Sequence, residues 1–109
     1  MDCIFCKIIG GEIPSDKVYE DEYVYAFRDI NPIAPVHILV IPKKHYANIG
    51  EMPANEAGRL VSTTSKIAAE QEALGGSYRL VTNTGDDAGQ SVKHVHIHIL
   101  GGKALSWEC

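Results

Sequence analysis

The sequence predicts an α+β fold: a five-stranded antiparallel sheet carrying one long and one short helix. Three observations predict it. Five short segments rich in β-branched and aromatic residues are separated by Gly, Pro and Asn/Asp clusters. One stretch, 53–74, instead repeats its apolar residues at helical spacing. The chain has 109 residues, 45% hydrophobic and 22% charged, which suits a single domain over 1–109 with a real core. A sheet with its helices on one side would satisfy this element order.

Each element has a local reason. Residues 4, 5, 8 and 9 are apolar, spaced for one or two helical turns that Gly10-Gly11 would end. Residues 17–20 and 23–27 read as two strands around the polar turn Glu20-Asp21-Glu22. Asn31-Pro32 and Ala34-Pro35 break the next stretch, and a strong strand follows over 36–41, stopped by Pro42. Over 53–74, Ala57, Leu60, Val61, Thr64, Ile67, Ala68 and Leu74 line one face, with charged residues between them. This is an amphipathic helix, entered through Pro53 and closed by Gly75-Gly76. Two more strands, 78–82 and 92–100, flank a polar loop.

Bulk properties exclude several classes. The formal charge is −4 and no basic tail or helix is present, so non-specific nucleic-acid binding is not expected. No apolar run approaches the roughly 20 residues that span a bilayer, so no membrane association is expected. The first residues lack a basic region followed by an apolar stretch, so no signal peptide and a cytoplasmic location are expected. The three cysteines are Cys3, Cys6 and Cys109. With no export signal, the Cys3-x-x-Cys6 spacing points to a metal site or redox pair before a structural disulfide.

The chemistry concentrates in the last strand. Side chains alternate across a strand, so His94, His96 and His98 share one face at about 7 Å spacing. Val95, Ile97 and Ile99 take the other face. A chance polar face is the bland alternative, and three histidines in register on an apolar strand weigh against it. Two chemistries compete. Three histidines could bind a catalytic Zn²⁺ with an open position, or the imidazoles could act on a phosphate directly. The preceding Gly85, Gly89, Gln90 and Ser91 favour phosphate, because glycine lets backbone N–H groups approach its oxygens. Ser91 adds a hydroxyl and Asn83 an amide. A closed zinc site on Cys3 and Cys6 needs two more ligands, and His45 and His94 are available. That set would be structural and would leave His96 and His98 for phosphate chemistry.

The run His94-Val95-His96-Ile97-His98-Ile99-Leu100 resembles the signature of the histidine triad family. Four further segments resemble its nucleotide-binding (Hint) branch: Asp2-Cys3-Ile4-Phe5-Cys6-Lys7-Ile8, Phe27-Arg28-Asp29-Ile30-Asn31-Pro32, residues 34–45, and Gly89-Gln90-Ser91-Val92. The resemblance covers nearly the whole chain, in order. It implies a homodimer whose sheet continues across both subunits. It also implies cleavage of phosphoramidate or related bonds at the α-phosphorus of purine nucleotides, with AMP, GMP or adenosine compounds as ligands. His96 would be the nucleophile, forming a nucleotidyl-histidine, with its Nδ1–H held by the His94 carbonyl. His98, Asn83, Gly89, Gln90 and Ser91 would contact the phosphate and leaving group, and His37 would sit near the leaving group. Asp29 would accept the ribose hydroxyls, and Ile4, Phe5, Ile8, Phe27 and Leu39 would form the base slot. Cys3, Cys6, His45 and His94 match members that hold a structural Zn²⁺. The tail with Trp107 and Cys109 would shape leaving-group specificity. A dinucleoside polyphosphate hydrolase is the rival within the family. A metallohydrolase, or a nucleotide-binding regulatory protein with incidental activity, are the rivals outside that chemistry.

Overall fold

The computed structural model describes residues 3–107. Asp2, which opens the first quoted motif, and Cys109 lie outside them. Five strands form one sheet: β1 (Lys17–Glu20), β2 (Val24–Arg28), β3 (Val36–Pro42), β4 (Tyr78–Val81) and β5 (Ile97–Gly101). Their order is β1-β2-β3-β5-β4, and every neighbouring pair is antiparallel. β3 lies at the centre and is buried at every position. This is why its run of Val, Ile and Leu does not alternate with polar residues.

Alternation along the strands makes two cores. On one face Val24, Ala26, Val36, Ile38 and Val40 meet Leu60, Ile67 and Ala68 of the long helix α2 (Ala54–Ala69). On the other, Tyr25, Phe27, Leu39 and Ile41 meet Phe5 and Ile8 of the short helix α1 (Ile4–Ile9). The two helices thus cover opposite faces, not one side as the element order suggested. Both faces of β3 are apolar, so each needs its own cover. Each fully buried Ile is worth about 1.5–3 kcal/mol over its exposed state, and Ile38, Ile41 and Ile99 are all completely buried.

Two further boundaries differ from the sequence reading. α2 stops at Ala69, and a separate 3-10 turn covers Glu72–Leu74 before Gly75 turns left-handed at φ 57°. The break drops Leu74 onto Gly101, where any side chain would collide with it. The last strand begins at Ile97 instead of residue 92. His94 and His96 stand in the irregular lead-in, which bends over 92–94, and still alternate with Val95 and Ile97, which join the α2-face core.

Candidate active site

The β-sheet register builds the site. Phe27 pairs with Leu39, Leu39 with His98, and His98 with Val81, so one cross-strand row carries a histidine among apolar residues. Beside this row is a cavity of about 250 Å³. Ile4, Phe5, Ile8, Phe27 and Leu39 form its apolar wall, and Asp29, Ser91, His96 and His98, with Ser15 and Arg28, supply its polar groups. Phe5 meets both Phe27 and His96 edge-on, with ring centroids 5.6 and 5.1 Å apart. An apolar slot with a few converging polar groups is the common form of a small-ligand site. Ile13, Ile30 and Val92 also line it. The sequence reading gave these three no role in the site; in the structure all three lie outside the helices and strands, where side-chain direction cannot be read from periodicity.

Backbone groups fix the proton on three of the four central histidines, and His37 sets it on the fourth, His98. The His94 carbonyl can only accept, so His96 Nδ1, 2.8 Å away, carries its proton. His96 Nε2 is left as a lone pair. The Ile33 N–H can only donate, at 3.2 Å, so His37 Nδ1 is unprotonated. A neutral His37 then carries its proton on Nε2, which faces His98 Nδ1 at 2.9 Å and Asp29 Oδ2 at 3.5 Å. His98 Nδ1 therefore accepts, leaving Nε2–H as that ring's donor. The Pro42 carbonyl, 2.9 Å from His94 Nε2, puts that proton on Nε2 and turns the Nδ1 lone pair towards the cysteines.

Burial keeps these rings neutral. It pushes His96 below the ordinary histidine range against the raising effect of the His94 carbonyl. It pushes His98 down to about 4, with His96 and His37 adding to the shift. His37 and His94 are lowered chiefly by burial too. An unprotonated, oriented imidazole is a competent nucleophile at neutral pH.

Several of the predicted contact residues have protein partners of their own or stand off the cavity wall. Gln90 is buried and its side chain is committed to the loop: Oε1 accepts from Gly85 N–H at 3.0 Å, and Nε2 donates to the Ala47 and Val92 carbonyls at 2.6 and 3.1 Å. It therefore bolts the loop instead of presenting its amide to a ligand. The Gly89 N–H donates to the Asp86 carbonyl at 3.0 Å inside a turn, and its φ of 89° explains the glycine. Neither Gly89 nor Asn83 is among the residues lining the cavity. His37 stands behind His98, away from the cavity wall. Asp29 keeps Oδ1 on the Asn31 N–H at 2.8 Å in a local turn.

The three histidines of the run do not converge on one point. His94 Nδ1 instead lies 3.3 Å from Cys3 Sγ, 3.6 Å from Cys6 Sγ and 3.1 Å from His45 Nδ1, with Cys6 Sγ and His45 Nδ1 3.5 Å apart. All four donor atoms lie within 4.8 Å of one another. Bonds of about 2.1 Å to nitrogen and 2.3 Å to sulfur give tetrahedral edges of about 3.4–3.8 Å. The donor set, two thiols and two imidazoles, suits such a site, and the Cys6 separations match its edges, while the 3.1 Å between the His45 and His94 nitrogens and the 3.3 Å from Cys3 Sγ are shorter and would open on binding. Both cysteines are thiols, not a disulfide. Asp29, His37 and His98 also cluster, but the 2.9 Å between His37 and His98 nitrogens is a hydrogen bond, shorter than the edge two imidazoles share on one metal.

Among the described residues, no helix is long and apolar enough to cross a membrane. Comparison with known proteins matches residues 10–105 to the HIT domain. A 14 kDa zinc-binding protein of Brassica juncea is 49% identical, covering 97% of each chain. A purine nucleoside phosphoramidase of Escherichia coli strain K12 is 45% identical, covering 95% of this chain and 90% of that one. A solved HIT family hydrolase from Clostridium thermocellum superposes with a TM-score of 0.90 at 46% identity, covering 96% of this chain and 94% of that one. A shared fold, a nearly full-length match and a histidine run in the matched region together place this chain in the HIT, or histidine triad, family.

Proposed function

We propose that this protein is a purine nucleotide hydrolase and nucleotidyl transferase that cleaves phosphoramidate or related bonds at the α-phosphorus. The observation that carries the reading is the His96 ring, fixed as the Nδ1–H tautomer by the His94 carbonyl at 2.8 Å, with Nε2 unprotonated on the wall of the cavity. The apolar wall accepts the base, and Asp29 accepts the ribose hydroxyls. His96 Nε2 attacks phosphorus as the P–N bond breaks, and the departing nitrogen takes one proton from solvent and leaves as the amine. Positive charge on the new nucleotidyl-imidazolium is shared with the His94 carbonyl through Nδ1–H. His98 Nε2–H and the Ser91 hydroxyl stabilise the phosphoryl oxygens. Water then attacks phosphorus, releases the nucleoside monophosphate and returns one proton to solvent. His37 acts through His98 as a positioning residue.

Cys3, Cys6, His45 and His94 would hold a structural Zn²⁺, which leaves no open coordination position and supplies rigidity. The likeness to a zinc-binding protein supports this ion. Likeness to a phosphoramidase supports the substrate class. A homodimer is part of the reading, since β4 is a sheet edge, and Tyr78 on it and Val61 on α2 are exposed.

The test is rapid quench with a labelled adenosine phosphoramidate, followed by mass spectrometry of the protein. A nucleotidyl adduct on His96, absent in His96→Ala, is expected. Full turnover by His96→Ala would overturn the mechanism. Faster turnover of diadenosine polyphosphates than of a lysyl adenylate phosphoramidate would move the substrate to the rival class.

A further inference from the structure

Two features that look separate meet in one residue. The His94 side chain belongs to the Cys3–Cys6–His45 cluster, and its main-chain carbonyl fixes the proton of His96. We infer that metal occupancy of this cluster positions the nucleophile, so that His94 is a positioning residue for His96 as well as a ligand. The inference rests on the reading of His96 as the nucleophile and goes beyond a structural role for the ion.

The linkage is short and stiff. His94 is completely buried, and its ring is held at one end by the Pro42 carbonyl. The other end, Nδ1, faces two thiols and His45 Nδ1 at 3.1–3.6 Å. With a metal bound, these lone pairs converge on one cation. Without it, neutral His94 keeps its proton on Nε2, so its Nδ1 lone pair depends on a thiol or His45 for a proton. Those flexible donors do not hold the ring at one angle as four bonds do. Rotation of the ring tilts the peptide that carries the carbonyl, and the 2.8 Å bond to His96 Nδ1 lengthens or is lost. His96 then samples the other tautomer, with its proton on the attacking nitrogen.

A second route runs through α1. Cys3 caps this helix and Cys6 lies in it, while Phe5 between them packs edge-on against both His94 and His96, at 5.9 and 5.1 Å. A helix of six residues has little stability of its own. Metal binding to both cysteines thus steadies the wall against which His96 rests. The two routes have different signatures: the carbonyl acts on the chemical step, and the helix acts on nucleotide binding through Ile4, Phe5 and Ile8.

The experiment is nitrogen-15 NMR of the histidine rings in the full chain, with zinc, with cadmium in its place, and in His45→Asn, which keeps three ligands. In the zinc form His96 should show one protonated and one bare ring nitrogen. In metal-free His45→Asn with β5 amide signals unchanged, the two nitrogen shifts should move towards each other. Under the same conditions kcat should fall about 10- to 100-fold, the scale of a small misplacement of a reacting group, and KM should rise less. If His45→Asn does not fold, the cadmium form decides: the larger ion should shift the His96 nitrogens while the fold persists. Unchanged His96 nitrogens in a folded protein whose metal is removed or exchanged would overturn the inference. The ring signals report this coupling whether or not a nucleotidyl adduct forms, so its failure and failure of the proposed reaction are separable.

Discussion

Replacing His37 tests the chain of hydrogen bonds that sets the His98 proton. In the native arrangement Ile33 N–H donates to His37 Nδ1, and His37 Nε2–H donates to His98 Nδ1 at 2.9 Å. His37→Leu removes the second donor. A hydrogen bond of this kind contributes about 1 kcal/mol, a factor of about 5 in an equilibrium. His98 then divides between its tautomers, and only the Nε2–H form can donate to the phosphoryl oxygens. Removing that donor altogether, as in His98→Ala, should cost about 10²–10³ in kcat on the scale of a lost oxyanion donor. His37→Leu should therefore cost much less, at most about fivefold, because a share of His98 keeps the productive form. His37→Gln, whose amide can both accept from Ile33 and donate to His98, should fall between His37→Leu and wild type. Steady-state turnover of an adenosine phosphoramidate measures all three. A loss in His37→Leu as large as in His98→Ala would show that His37 touches the reacting atoms, and no loss would show that the chain is idle.

Three other outcomes are expected. Protein purified without added metal should contain one zinc per chain; at a concentration 100-fold above Kd the ion would add about 2.7 kcal/mol, or about 10–20 °C in Tm for a domain of this size. Metal analysis and melting of Cys3→Ser against wild type check this, and an unchanged Tm with no bound metal would refute it. Burial, with His96 and His37, holds folded His98 at about 4, below its unfolded value of about 6.5. Its neutral form is therefore favoured in the folded state, and the resulting stability is complete above pH 6.5 and lost as pH falls towards 4. The difference in unfolding free energy between wild type and His98→Gln should show this slope, the shared metal cluster cancelling, and a flat difference would refute it. Sedimentation at micromolar concentration should give about twice the 11.9 kDa chain mass, and a monomer would refute the dimer.

The sequence showed most of the fold because alternation and helical period are strong signals here. Val24 to Phe27 alternate between the two cores as a strand of period two requires. Which face α1 covers was not legible, since six residues with Ile4, Phe5, Ile8 and Ile9 have no sharply polar side to exclude either face. The cavity wall was readable from the family resemblance, and the structure brings Ile4, Phe5, Ile8, Phe27, Leu39, Asp29, Ser91, His96 and His98 together. The partners of Gln90 were not legible, because a polar residue beside glycines looks like a ligand contact. Its actual partner at the Ala47 carbonyl is 43 positions away in sequence, beyond any local pattern. His37 was placed by the face it shares with Leu39 and Ile41. That argument gives the correct face but cannot tell whether His98 stands in front of it.

The divided roles of His94 and His96 follow from where the central ladder ends. β3 and β5 pair from Val36↔Gly101 to Val40↔Ile97. Pro42, near the point where pairing would continue, has no N–H to offer. The backbone of residues 94–96 must then find partners outside the ladder. Val95 N–H goes to the Tyr46 carbonyl at 2.8 Å, on the segment that also carries His45. The Pro42 carbonyl takes the His94 ring, and the His94 carbonyl takes the His96 ring. Had β5 begun at residue 92 and β4 run on past Val81, the His94 carbonyl would face an N–H group of β4. The His96 proton would then compete with a ladder bond. The β4 ladder also ends early, at Val81↔His98, and the His94 carbonyl, past that last pair, is taken by the His96 ring, with the Cys/His cluster at the same end of the sheet.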